Sequence, residues 1–408
     1  MPSSSSSDAA ETRGAAAGPG RIAAVAAVAA LAWLAWFTVI MAARGGDVSR
    51  FVVAGDFFVD AAQAPPGLHV LPDSDGYDGQ FFHRLALAPW STERRVHGTL
   101  LDRGPYRQQR ILYPLVARAL ALGRPERVAA ALVAANALAL VALAGLGAAW
   151  ARRAGASPWL GLAISLEPGL ALAFARDLAE PTELAALVGA LWLLRRERPA
   201  WAALPLALAV VARETSLLGV FAVVVAWLPW ASLPGVAWRP WAVRLGAFGA
   251  RPPAVVWAAP LAVWLAWQGW IAARWGTHFV VGVAHRGVAK SGLGLFGRLA
   301  EASRGGEAFV AAELAALLAL GIAVVALLPR SRATPVEKLA ALLFGALLFT
   351  RGESVWREDW AFLRVAAPFT LFALVVVAQV PHPIARRAPA AWVASWAAVA
   401  GHSLARGL

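Results

Sequence analysis

Residues 21–43 read RIAAVAAVAALAWLAWFTVIMAA, one arginine followed by 22 residues without a charge. As a helix rising about 1.5 Å per residue, such a run reaches across a hydrocarbon layer roughly 30 Å thick. It is too long for the apolar core of a signal peptide, which spans about 7–15 residues. The stretch is therefore read as an uncleaved first transmembrane helix with Arg21 at its cytoplasmic end, cleavage near Ala42 and Ala43 being the alternative. Residues 1–20, MPSSSSSDAAETRGAAAGPG, have no apolar period and are expected to form a disordered cytoplasmic tail.

The same signature recurs downstream. Apolar runs fall near 128–150, 158–174, 182–194, 200–212, 215–231, 254–272, 307–328, 336–350, 363–380 and 390–404, which with the first gives about eleven spans, within a range of nine to thirteen. The expected fold class is all-α, a polytopic transmembrane helical bundle forming a single integral membrane domain over 21–408. Composition agrees: 60% of residues are hydrophobic, the mean hydropathy is +0.61, and only 15% are charged, against about a quarter in soluble domains. There is no cysteine, which excludes disulfides, thiolate zinc sites and cysteine nucleophiles.

The net charge of +13 comes almost wholly from arginine in short clusters between apolar runs, with only Lys290 and Lys338 as lysines. Clusters of that kind are topology signals rather than a nucleic-acid interface. Alternating the loops places Arg13 and Arg21, Arg152 and Arg153, Arg195, Arg196 and Arg198, Arg239, Arg244 and Arg251, Arg330 and Arg332, and Arg386 and Arg387 in the cytoplasm. The Ala/Arg bias suggests a GC-rich bacterial coding sequence, hence the cytoplasmic membrane of a bacterium.

Residues 44–110 break the apolar rhythm with Asp, Gly, Pro, His and Arg, and form one long extracytoplasmic loop expected to carry short amphipathic helices. Within it, GYDGQFFHRLALAP (76–89) places Asp78 before an amphipathic segment ended by Pro89, with Phe81, Phe82 and Leu85 on one face. Asp78 has two readings, an N-cap of that membrane-surface helix or a chemical group. The same face receives ARDLAEP (Arg176, Asp177, Glu180), ARETS (Arg213, Glu214) and TRGESVWREDWAFLR (Arg351, Glu353, Arg357, Glu358, Asp359, Arg364). Charges at membrane-proximal helix ends are costly unless paired or hydrated, so their convergence suggests a polar cavity open to the outer face. Arginines there suit a phosphate, and a carboxylate suits deprotonation of an acceptor hydroxyl. No nucleotide-binding loop is present, which points to a lipid-linked phosphate as the activated donor. The histidines of the loop, His69, His83 and His97, lack compact ligand spacing, so no metal site is expected.

A long first outer loop with an early Asp, followed by many spans and short outer loops, resembles the GT-C superfamily of membrane glycosyltransferases. GYDGQFF is similar to the aromatic-Asp-small-x-x-aromatic signature of the mannosyltransferases related to the glycosylphosphatidylinositol pathway and of their bacterial relatives. YRQQRILYPLVARALA (106–121), RDLAEPTELAALVGAL (176–191) and LALAVVARETSLL (206–218) extend the resemblance, whereas the second half matches only in its rhythm of spans. The resemblance implies inverting transfer of a sugar, mannose first, from a polyprenyl-phosphate donor to a glycan, lipid or protein acceptor outside, with no cofactor and no divalent metal. It implies Asp78 as general base, with Asp56 as rival. Tyr77, Gln80, Arg107, Arg110, Asp177, Glu180, Arg213, Glu214 and Arg351 are the expected substrate contacts, the arginines holding the phosphate. Asp73 and Asp75 read as turn residues, and Glu353, Glu358 and Asp359 as members of a solvated, self-neutralising loop. Glu167, a carboxylate in or near a span, receives no role. The competing functional class is a transporter or flippase for a lipid-linked or anionic substrate; the absence of an evident internal repeat argues against it.

Overall fold

The computed structural model describes residues 19–227, 253–276, 294–357, 359–383 and 387–406, with no side-chain description at 359 and 360. The expected tail over 1–18, the end of the 215–231 run, the cluster of Arg239, Arg244 and Arg251, and Glu358 and Arg386 lie outside the described residues. Among these residues seventeen α-helices follow one another: α1 Pro19–Ala43, α2 Gly79–Leu87, α3 Gly104–Gln108, α4 Leu112–Leu120, α5 Val128–Arg153, α6 Leu160–Ser165, α7 Pro168–Ala175, α8 Glu180–Arg195 and α9 Pro199–Ala212. Then come α10 Leu217–Ala226, α11 Val255–Trp275, α12 Gly294–Arg304, α13 Ala308–Leu327, α14 Pro335–Phe349, α15 Glu353–Arg357, α16 Asp359–Ala378 and α17 Ala388–Ala405.

The fold is an α-helical bundle in which each apolar run coincides with helix. Among the described residues five stretches are long and apolar enough to cross a membrane: Gly20–Ala43, Pro125–Arg153, Val255–Trp275, Ala308–Leu327 and Ala361–Ala378. The other runs give shorter helices, such as α8 with 16 residues and α14 with 15, about 24 and 22 Å long. The run at 158–174 is not one span. It breaks at Leu166–Glu167 into α6 and α7, because Pro168 starts a new helix whose N-cap, Glu167, accepts a hydrogen bond from the Leu170 amide at 3.1 Å.

Small residues let these elements approach closely. A side chain on Gly161 of α6 would strike the Ala144 carbonyl of α5, and one on Gly169 of α7 would strike the Leu363 carbonyl of α16. The loop 44–78 adds a short parallel pair, β1 Ala54–Gly55 with β2 Val70–Leu71, and residues 95–100 an antiparallel pair, β3 Arg95–Val96 with β4 Thr99–Leu100. Helix α2 corrects the surface reading: all nine residues are buried, including His83 and Arg84. Arg84 is accommodated because its Nη2 donates to the Glu93 carbonyl at 2.6 Å and its Nη1 lies 3.4 Å from the Ser91 carbonyl.

At one end of the bundle a buried hub ties four helices together. Glu337, capping-box partner of Thr334 at the start of α14, accepts from Trp150 Nε1 of α5 at 2.8 Å, from Arg195 of α8 in a two-pronged pair at 2.9 and 2.6 Å, and from Gln379 beyond α16 at 3.3 Å. Removing one partner of a buried ion pair strands the other. Glu337→Ala is expected to destabilise the fold by roughly 3–5 kcal/mol, seen as a lowered thermal unfolding midpoint in detergent; an unchanged midpoint would show that the hub contributes nothing.

Candidate functional site

The loop over 44–78 is built around Gln80. Its Oε1 accepts the Gly55 amide at 3.1 Å and its Nε2 donates to the Asp75 carbonyl at 2.9 Å. Gly55 has no room for a Cβ against Ser74 and Gly76, and Gly76 takes φ +62°, so both glycines are required by the close passage of the chain. Gln80 is thus spent on the loop, which corrects its expected role as a substrate contact. Asp56 is likewise engaged: it is exposed, and its two oxygens accept the Asp73 and Ser74 amides at 3.0 and 3.1 Å.

This loop delivers Tyr77 and Asp78 to the start of α2. Asp78 occupies the N-cap position, yet its backbone is helical (φ −57°, ψ −25°) and its side chain makes no capping bond. The carboxylate turns instead between two arginines. Asp78 Oδ1 accepts from Arg107 Nη1 of α3 at 2.6 Å, and Oδ2 from Arg364 Nη1 of α16 at 2.9 Å. Arg107 also grips Asp102 through Nε and Nη2 at 2.9 and 3.2 Å and lies 3.9 Å from the centre of the Phe81 ring. Arg364 comes within 3.6 Å of Glu180 Oε1 at the start of α8. Arg213, following α9, pairs with Glu180 at 3.0 Å and Glu183 at 3.3 Å. Arg110 holds Glu214 in two contacts of 3.0 and 2.7 Å and donates to Tyr106 Oη at 2.8 Å. Tyr77 lies under two guanidinium groups, those of Arg176 and Arg364, at 4.5 and 5.0 Å.

Arg351, between α14 and α15, differs from its neighbours. It makes no ion pair among the described residues, and its Nε is buried without a hydrogen-bond partner. Burial, and after it the Arg213 cation, hold its guanidinium below the ordinary arginine value despite the opposing pull of Glu214. Among the described residues Arg107, Arg110, Arg213 and Arg364 pair with Asp78, Asp102, Glu180, Glu183 and Glu214, Arg103 comes within 4.0 Å of Asp102, and Arg351 makes no ion pair. Beside Asp78 lies a space of only about 10 Å³, lined by Phe81, Phe82, Leu85, Tyr106, Arg107 and Arg110, room for about one water.

Of the residues singled out in the sequence, Tyr77, Asp78, Arg107, Arg110, Glu180, Arg213, Glu214 and Arg351 come together here. Asp177 does not: it is fully buried at φ +50°, 3.5 Å from Tyr113 Oη, whose hydroxyl also receives the Asn136 amide at 2.9 Å. Glu353 pairs with Arg357 at 2.6 Å on the exposed α15, as a solvated loop would. The histidines stay apart in role, His83 being buried, and burial followed by the nearby His97 push it down to about 4. Arg364, Glu183, Asp102 and Tyr106 were not singled out as site residues. For Arg364 a signal existed, since it is the only charged residue between 360 and 379, within an otherwise apolar span.

Tryptophans hold α3 in place from the outside. Trp275 Nε1 of α11 donates to Gln108 Oε1 and Trp267 Nε1 to the Gln108 carbonyl, while Trp267 and Trp270 stack at 4.8 Å with Trp90 edge-on to both. Comparison with protein-family models, with curated proteins and with solved structures finds no match. The resemblance to membrane glycosyltransferases accordingly rests on the residues that carry it.

Burial alone would raise the Asp78 carboxyl, but Arg364 and then Arg107 outweigh it and hold the group well below the usual carboxylate range. A carboxylate lowered on folding stabilises above its unfolded value, near 4, and that contribution is lost only as pH falls through the lower folded value. The difference in unfolding midpoint between the wild type and Asp78→Asn is therefore expected to be constant from pH 8 to about 5 and to shrink below about 4. A difference that already fades between pH 7 and 6 contradicts the doubly paired carboxylate.

Proposed function

We propose that the chain is an inverting glycosyltransferase of the bacterial cytoplasmic membrane, with its N-terminus in the cytoplasm and the Asp78 cluster facing outside, using a polyprenyl-phosphate sugar as donor. The observation that carries the reading is one carboxylate held between two arginines from distant parts of the chain, in a cluster whose Arg351, beside Arg213 and Glu214, makes no ion pair among the described residues. Because Arg107 and Arg364 are already held by Asp78, a phosphate gains them by exchange. The phosphate takes Arg351 together with Arg364 or Arg107, and Asp78 is released. Once freed of its arginines the carboxylate becomes a stronger base, accepts the proton of an acceptor hydroxyl, and that oxygen attacks the anomeric carbon from the face opposite the phosphate. The bond to the phosphate breaks as the new glycosidic bond forms, and the polyprenyl phosphate leaves as an anion held by the arginines, so no strong general acid is needed.

A lipid-borne donor is supported by an apolar groove of about 590 Å³ among α7, α13, α16 and α17, whose lining reaches Leu363, the residue before Arg364. Trp90, half exposed and edge-on to Trp267 and Trp270, offers an aromatic face to a sugar. Mannose is the first choice of sugar on the resemblance alone.

A transporter or flippase is the second reading, and one observation favours it: the break between α6 and α7 places Glu167 at the interruption of a membrane-length run, fully buried and bonded to Thr370 Oγ1 at 2.8 Å. The two readings separate in one assay. Purified protein given a polyprenyl-phosphate mannose and a hydroxylic acceptor is expected to form a glycosidic product. Asp78→Asn should cut the rate about 10²-fold or more, Asp56→Asn should leave it within a few-fold, and Arg351→Gln should raise the KM for donor. Movement of the lipid across a vesicle with no covalent product would establish the transporter instead, and loss of activity in Asp56→Asn alone would move the base.

A further inference from the structure

The end of the bundle away from Asp78 carries a second cavity, of about 560 Å³, between the α5–α6 connection and the segments flanking α14 and following α16. Four helices run from one cluster to the other. Helix α16 bears Arg364 near its start and ends one residue before Gln379, α8 runs from Glu180 to Arg195, α14 from Glu337 to Phe349 just short of Arg351, and α9 ends at Arg213. Fifteen residues between Arg364 and Gln379 correspond to about 22 Å.

The polar groups lining this cavity are Arg332, His382, Ser157 and Gln379, with prolines 381, 383 and 389 forming much of the rest. No carboxylate is among them. The nearest acidic group fixed by contact is Glu337, whose oxygens are already taken by Arg195, Trp150 and the Thr334 amide. The same hub fixes Gln379, which receives Arg195 on Oε1 at 2.7 Å and donates from Nε2 to Glu337 and to the Val375 carbonyl. The Gln379 carbonyl in turn accepts the Arg332 amide at 3.1 Å, so the Arg332 backbone is anchored to the hub while its exposed guanidinium makes no ion pair among the described residues. A cavity of headgroup size that offers a guanidinium, a hydroxyl and an imidazole, with no acid among its described lining residues, suits an anion.

We infer that this cavity is a binding site for the phosphate headgroup of an anionic phospholipid, held chiefly by Arg332 with Ser157 and His382. The cavity lies at the ends of α5 and α16, two helices long and apolar enough to cross a membrane, which favours a headgroup over a soluble anion. The inference is independent of any glycosyl transfer at Asp78.

Full-length protein in nanodiscs of phosphatidylcholine containing a minority of phosphatidylglycerol provides the test, with retained lipid counted by native mass spectrometry after release. Wild type is expected to retain phosphatidylglycerol over phosphatidylcholine, and Arg332→Ala to lose about tenfold of that preference, while Arg127→Ala, an exposed arginine outside the cavity, keeps it. Equal preference in wild type and Arg332→Ala overturns the site. Displacement of the lipid by millimolar inorganic phosphate shows that a free phosphate is the ligand and overturns the lipid assignment. Unfolding midpoints of both variants, expected to match the wild type, exclude loss of fold as the cause.

Discussion

Everything at the candidate site follows from the need to neutralise Asp78. Its two oxygens are each held by an arginine, one from the loop after the first helix and one 286 residues beyond Asp78 in the chain. That pairing fixes α2, α3 and α16 relative to one another and sets the ladder of ion pairs continuing through Glu180, Arg213 and Glu183. The reason for such thorough pairing is dimensional. Two of the helices joining the Asp78 cluster to the Glu337 hub, α8 and α14, are 16 and 15 residues long, about 24 and 22 Å, less than a hydrocarbon layer of roughly 30 Å. A helix of that length crossing a membrane with both ends charged would put at least one end at hydrocarbon depth, where an unpaired charge is expensive and a paired one tolerable.

The same constraint explains why one arginine without a partner is informative. Arg351 sits among groups that have satisfied each other, with its Nε buried and unbonded. A cation left in that condition gains most from an anionic ligand, and a ligand anchored in the membrane arrives at the right depth. The small space beside Asp78 implies that ligand binding and rearrangement of the ion pairs are one event.

Much of this was legible in the sequence, because hydropathy fixes where apolar runs end and the charges stand at those ends. Asp78, Arg107, Arg110, Glu180, Arg213, Glu214 and Arg351 could be gathered onto one site on that basis. What hydropathy does not reveal is local geometry. Gln80 and Asp56 carry the right chemistry, but their polar atoms close a loop through backbone amides and carbonyls, which is a matter of local geometry that residue type does not reveal. Helix α2 alternates like a surface helix, yet His83 and Arg84 are buried because carbonyls of the following turn receive Arg84. Arg364 was hidden among neighbouring charges that do form a solvated helix, although its apolar downstream context set it apart. The break before Glu167 needed only Pro168 to be taken as a helix start.

The claim that the arginines exchange Asp78 for a phosphate has a direct consequence for binding. The affinity of purified protein for a polyprenyl phosphate, compared between wild type and Asp78→Ala, tests it without reference to the sugar. If the carboxylate competes with the phosphate for Arg107 and Arg364, the variant binds more tightly than wild type even as transfer is lost. Weaker binding by the variant would contradict the exchange and leave Asp78 as a structural counter-ion.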